Sequence, residues 1–194
     1  GLAIAEQLIS AGHELLCISR KTNDALGERA RQRDVRCEQW PHDLTRAAAA
    51  AARLETWLQD KGSQPWDAVT LINNAAVVPK AAPLGSIPID ELADAIRVDL
   101  EAPLLLTSAF LRATQGWKSQ RKVLNISSGL GRRAMASQAL YCAAKAGMDH
   151  LTRCIALEEA KQPNGAKVCS LAPGVIDTDM QVQLRSSDPA QFPD

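Results

Sequence analysis

The order of apolar segments predicts an α/β fold with a doubly wound parallel sheet. Short apolar runs recur at 14–19, 68–72, 123–128 and 166–172, a short stretch at 36–40 could add a further strand, segments of helical period lie between them, and no internal repeat or linker interrupts the series. Strands that are apolar on both faces and alternate with helices belong in a parallel sheet covered on both sides. The 194 residues therefore read as one domain, 1–194.

The chain opens on an amphipathic helix, GLAIAEQLISAG, with no strand ahead of it, and continues into the strand 14–19, which ends in Ser19-Arg20-Lys21. A short strand at 36–40 leads to Pro41-His42-Asp43-Leu44, where Asp43 or Thr45 can cap the Ala-rich helix 46–59. Leu54, Trp57 and Leu58 give that helix its apolar side. The run 68–72 delivers Asn73-Asn74-Ala75-Ala76 to its carboxyl end. Small residues there admit a ligand close to the backbone, and open α/β sheets bind ligands outside the carboxyl ends of their strands. From 89 to 114 the spacing of Leu92, Ile96, Leu100, Leu104 and Leu105 predicts one long helix, kinked where Pro103 removes a helical N–H.

The chemistry concentrates at 123–145, where an apolar strand ends in Ser127-Ser128 and a Gly/Arg-rich loop leads to Tyr141 and Lys145. Four residues apart, Tyr141 and Lys145 lie one turn apart on one helix face. A phenol titrates near 10, and a neighbouring ammonium favours the phenolate, so the pair can pass a proton near neutrality. Ser128, thirteen residues before Tyr141, stands at the strand mouth, where its hydroxyl can hold the oxygen that Tyr141 protonates. A Tyr and Lys at this spacing are more often a core ring beside a solvated amine; the serine, the strand and the small residues around them favour carbonyl chemistry.

With NNAA at 73–76 and APGVIDT at 172–178, the chain resembles the short-chain dehydrogenase/reductase family over essentially its whole length. The resemblance implies hydride transfer between a nicotinamide cofactor and a carbonyl, with Tyr141 as the acid, Lys145 tuning it and holding the nicotinamide ribose, and Ser128 placing the carbonyl oxygen. It makes Gly1 the last glycine of a phosphate-binding turn whose front, with the strand before it, precedes the sequence. A sheet without its first and its C-terminal strand is then expected, the 194 residues being a fragment of a longer reading frame. It puts Asp43 and Leu44 beside the adenine, Asn74 and Ala75 against the cofactor, and Pro173, Gly174, Ile176 and Thr178 at the nicotinamide and its phosphate. Asp99, in RVDLEAPLLLT, occupies a position where the family has a catalytic Asn; an ionised Asp accepts hydrogen bonds but cannot donate them.

Ser19 and Arg20 stand where a fold specific for NAD would place a carboxylate for the ribose hydroxyl, and the Arg20 fork suits a 2′-phosphate, so NADP is the expected cofactor. The tail, GVIDTDMQVQLRSSDPAQFPD, is similar to the branch of the family that holds sepiapterin reductase and benzil reductase, which implies a ketone or diketone as substrate. A 3-oxoacyl or a sugar or polyol dehydrogenase is an alternative within the family. A dinucleotide-binding protein that kept the fold without catalysis is one outside it. Related enzymes pair through the two long helices near Asp99 and Tyr141, which implies a homo-oligomer.

Twenty-two basic and twenty-two acidic residues cancel, which argues against nucleic acid or an anionic membrane as the main partner. No apolar run approaches the roughly 18 residues needed to span a bilayer, and a cytoplasmic protein is expected. The five cysteines lack CxxC spacing and read as buried thiols; the three histidines are too dispersed for a metal site, and no metal is expected. Asn125-Ile126-Ser127 matches a glycosylation sequon, but its place at the end of a buried strand discounts it.

Overall fold

A computed structural model describes residues 1–10, 12–62, 65–79 and 81–174. Its elements in chain order are α1 (Leu2–Leu8), β1 (Glu14–Ser19), α2 (Asp24–Gln32), β2 (Arg36–Pro41), α3 (Ala47–Lys61), β3 (Ala68–Asn73), α4 (Ile89–Ile96), α5 (Ala102–Ala113), β4 (Gln120–Ile126), α6 (Ala139–Glu159) and β5 (Lys167–Leu171). Every strand pairing is parallel. The strands fall into two pieces, β1 with β2 and then β3, β4 and β5 in that order. Among the described residues no strand pairs with the free edge of β1 or of β3. The Rossmann-like α/β class is as expected, and so is the shortage of strands.

The two pieces share one core. Trp40 of β2 and Val123 of β4 are buried in the same cluster as Leu54 and Leu58 of α3 and Leu106 and Phe110 of α5, and Leu16, Ile18, Val69 and Leu71 pack against it. A smaller cluster joins α1, β1 and α2 through Ala5, Ile9, Leu15, Leu26 and Ala30.

Two elements depart from the sequence reading. Helix α2 occupies a stretch for which the sequence predicts nothing, because only Leu26 and Ala30 are buried on it and its remaining surface is charged. Its start signal is nonetheless present: the Asn23 side chain caps it by accepting from Leu26 N at 2.9 Å. The long helix expected over 89–114 is three pieces, α4, a π turn at Arg97–Glu101, and α5. Pro103 has no N–H to return to the carbonyl of residue 99, and the turn just before it is widened to the π form.

The carboxyl ends of β3 and β4 are tied to both flanking helices by a chain of buried polar groups. Asn73 Nδ2 donates to Thr107 Oγ1 of α5 at 3.0 Å and to Asn125 Oδ1 of β4 at 2.7 Å. Asn125 Nδ2 donates to Thr152 Oγ1 of α6 at 2.8 Å. Asn125 is 1% exposed, so the sequon is indeed out of reach of a glycan. The cysteines correct the expectation of burial: Cys154 and Cys169 are exposed and the other three are half-buried. Cys17 and Cys37 lie together across β1 and β2, and burial raises both thiols, Cys17 to about 11, which keeps them unreactive.

Candidate active site

Ser128 lies two residues past the end of β4 and its Oγ caps the next turn, accepting from Leu130 N at 3.2 Å. Its own hydrogen is left to donate. That turn, 129–131, lies on α6: a Cβ on Gly131 would sit 3.0 Å from the backbone carbonyl of Lys145. The glycine therefore sets how near the serine comes to the helix that carries Tyr141 and Lys145. The Tyr141 phenol is within hydrogen-bonding reach of Ser128. Lys145 is 2% exposed; its Nζ donates to Ile126 O at 2.9 Å and sits 5.6 Å from the centre of the Tyr141 ring. The structure thus brings Ser128, Tyr141 and Lys145 together at the carboxyl end of β4.

Asp99 joins them from the π turn. It is 1% exposed, and its Oδ1 accepts from Val77 N at 2.8 Å, which fastens the loop after β3. Burial pushes its carboxyl up to about 6, against the opposing pull of the Val77 bond and the Lys145 charge. Burial likewise lowers Lys145, while the charges of Asp99 and Asp149 act the other way.

The phenol corrects an expectation. The sequence predicts that Lys145 pulls Tyr141 below its usual range, whereas in the protein alone Tyr141 is raised. Burial is the main cause, Asp99 and Cys142 add to it, and only the bond to Ser128 opposes it. Lys145 Nζ, bonded to Ile126 O, lies 5.6 Å from the ring centre and is not among the groups that move the phenol.

Asp149, one turn beyond Lys145 on α6, is a further member that the sequence reading missed. It is 5% exposed, bonds to Ser170 Oγ of β5, and has Arg132 Nε 3.5 Å from its Oδ2. Burial pushes its carboxyl up, but Ser170, Ser127 and Arg132 outweigh this and hold it below the usual range. Ser127 Oγ and Asp149 Oδ2 lack an aligned hydrogen bond, although both are buried. The signal available in the sequence was the spacing alone, since Tyr141, Lys145 and Asp149 recur every four residues on one helix.

The family model described as short chain dehydrogenase matches residues 1–189. The chain belongs to that family. As a short-chain dehydrogenase it is an oxidoreductase of carbonyl and alcohol groups. It is 32% identical over 192 residues to a benzil reductase ((S)-benzoin forming) of Bacillus cereus, covering 99% of this chain and 77% of that one. It is 33% identical over 185 residues to a sepiapterin reductase of Xenopus tropicalis, covering 90% of this chain and 68% of the relative. A metagenomic short-chain oxidoreductase solved in complex with NADP superposes with a TM-score of 0.78 at 30% identity, covering 91% of this chain and 76% of that one.

Short-chain dehydrogenases bind a nicotinamide dinucleotide, and the strand ends of this one offer a fitting cradle. Gly1 lies against Asn74, where a Cβ would come within 3.0 Å of Asn74 Nδ2, so a larger residue would displace that side chain. Ala75 follows in the same loop, beside the Val77 N–H that Asp99 holds. Ser19 and Arg20 are exposed at the end of β1. Asp43, at the end of β2, is held below its usual range first by bonds to Thr45, with Arg46 and Arg20 adding to the effect. Leu44 beside it is 8% exposed and belongs to the main core cluster. Pro173 and Gly174 are exposed just past β5, and Gly174 turns there at φ +82°, a conformation natural to glycine. Ile176 and Thr178 lie outside the described residues. Among the described residues no helix is long and apolar enough to cross a membrane and no group of three or more His, Cys, Asp or Glu could hold a metal.

Proposed function

We propose that the protein is an NADP-dependent carbonyl reductase acting on a ketone or diketone. The observation that carries this reading is the convergence of Ser128, Tyr141 and Lys145 at one strand end. When bound, the dihydronicotinamide supplies the hydride. Tyr141 supplies the proton to the carbonyl oxygen, and the Ser128 hydroxyl, whose oxygen accepts from Leu130 N, would turn its hydrogen from the phenol to that oxygen and orient it. Lys145, anchored on Ile126 O, keeps a fixed positive charge beside the ring and is placed to hold the ribose.

The named activities of the two relatives support a ketone or diketone over a 3-oxoacyl or polyol substrate. For the cofactor, one solved relative holds NADP, another NADPH and a third NADH, so the choice rests on this chain's own residues. No carboxylate stands at Ser19 or Arg20 to bond a 2′-hydroxyl or repel a 2′-phosphate, and a guanidinium is suited to the phosphate. The reading includes a cytoplasmic protein that pairs through α5 and α6. Leu104 on the first and Leu157, 70% exposed, on the second supply apolar surface for such a contact.

The test is a screen of carbonyl compounds for oxidation of NADPH. Tyr141→Phe should abolish turnover with cofactor binding kept within a few-fold, and Lys145→Met should damage both; near-normal kcat in Tyr141→Phe would overturn the assignment. Arg20→Ala should erase most of a roughly ten- to hundredfold preference for NADPH by weakening NADPH alone, the size expected of one charge-assisted contact. Equal or better use of NADH by the unaltered enzyme would refute the cofactor choice.

A further inference from the structure

Asp149 stands where three parts of the site meet. It is 5% exposed on α6, one turn past Lys145. From β5 the Ser170 hydroxyl donates to its Oδ1. From the loop after Ser128, Arg132 Nε reaches its Oδ2 at 3.5 Å, and a Cβ on Gly131 would come within 3.1 Å of the same oxygen. One carboxylate thus holds two different segments against the helix of Tyr141 and Lys145.

The two arms lead to different places. The loop arm ends on the serine: Gly131 N donates to Ser128 O and Arg132 N to Gly129 O, each at 3.0 Å, so Ser128 to Arg132 form one closed turn. Where Asp149 holds Arg132, the Ser128 hydroxyl follows. The other arm fixes the end of β5, which runs on into the exposed turn at Pro173 and Gly174. The arms also differ in what they do for stability. The Arg132 side chain is 58% exposed, and an ion pair with one partner in water contributes little to folding. It still fixes direction, and a reacting group displaced by about 1 Å can cost on the order of a hundredfold in rate. Loss of the Ser170 hydroxyl, in contrast, leaves a buried acceptor without its donor, which destabilises.

We propose that Asp149 is a positioning residue with two separable arms: through Arg132 it sets the Ser128 hydroxyl for carbonyl turnover, and through Ser170 it sets the strand end that receives the nicotinamide. The proposal rests on the carbonyl-reductase reading above and adds to it that turnover and cofactor binding have separate supports on one side chain.

The test compares Arg132→Ala, Arg132→Lys, Ser170→Ala and Asp149→Ala with the unaltered protein. Four quantities are measured: kcat for the ketone that the carbonyl screen finds best, the Kd of NADPH from its fluorescence, the melting temperature, and the rate of tryptic cleavage after Arg133, which is exposed beside the turn. Arg132→Ala should lower kcat about tenfold and speed cleavage about threefold, with the NADPH Kd within about twofold and melting almost unchanged. Arg132→Lys, which keeps the positive charge, should recover most of the lost kcat. Ser170→Ala should melt lower than Arg132→Ala and raise the NADPH Kd about fivefold, yet keep cleavage unchanged and kcat at saturating NADPH within about twofold. Asp149→Ala should show both defects; the single-arm variants decide the matter even where it fails to fold. Losses of kcat that follow melting temperature across the set overturn the proposal, as do equal effects of the two arms on kcat and on NADPH binding, or an Arg132→Lys no better than Arg132→Ala. A protein that turns over no ketone, or keeps full turnover in Tyr141→Phe, refutes the functional reading instead, and cleavage and NADPH binding then still decide for or against the two arms.

Discussion

At the scale of the residue, the buried carboxylate of Asp99 has a stability consequence whose sign is opposite to that of most native carboxylates. Its folded value is about 6 against an ordinary 3.8, so the folded state binds the proton more tightly than the unfolded one and stability falls as pH rises between the two. The cost is fully present above pH 6 and vanishes below the ordinary value. A difference of that size between the folded and unfolded carboxyl corresponds to about 3 kcal/mol, as an order of magnitude. Asp99→Asn should therefore melt higher than the unaltered protein at pH 8, with the gap closing as pH falls toward 4; equal melting temperatures at pH 8 would show that the charge is better compensated than its contacts indicate. Residues of this kind separate what a sequence shows from what it hides. Ser128, Tyr141 and Lys145 were legible because one proton transfer needs those three types at that spacing. Asp149 and Asn73 were not, since their roles depend on Ser170 and Thr107, partners that only the fold brings near.

At the scale of the element, β1, β3, β4 and β5 were legible because each carries a short run rich in apolar residues, although β5 alternates between exposed and half-buried, whereas α2 shows water nearly all its surface and left no such trace. The junction from α6 into β5 was likewise illegible. There Glu159 ends the helix and its carboxylate accepts from Ala166 N at 2.7 Å and from Arg121 Nη1 at 3.2 Å, folding the chain back onto its own last turn. A Cβ at Gly165 would lie 1.7 Å from the Glu159 carbonyl oxygen and 2.6 Å from its carbon. Backbone atoms cannot step aside as a flexible side chain would. Gly165→Ala should cost about 4 kcal/mol or more, at the severe end for single substitutions, read as a lowered denaturant midpoint; a loss under about 1 kcal/mol would mean that the turn relaxes freely.

At the scale of the whole molecule, the buried chain Thr107–Asn73–Asn125–Thr152 joins two strands to a helix on each side. Asn125→Ala would leave one N–H of the Asn73 amide unpaired, the other keeping Thr107, and remove the donor to Thr152. With about 1–3 kcal/mol for each buried group left unpaired, a loss near 3 kcal/mol is expected in urea unfolding. Because these bonds sit at strand ends that also carry Ser128 and Asn74, activity should fall along with stability. A variant that lost stability yet kept full kcat would show that the site is held by other means. The same chain of bonds has an outcome in the exchange of backbone amides with solvent deuterium: the amides at the carboxyl ends of β3 and β4, tied to α5 and α6 on either side, should exchange more slowly than those of β5, whose residues alternate between exposed and half-buried.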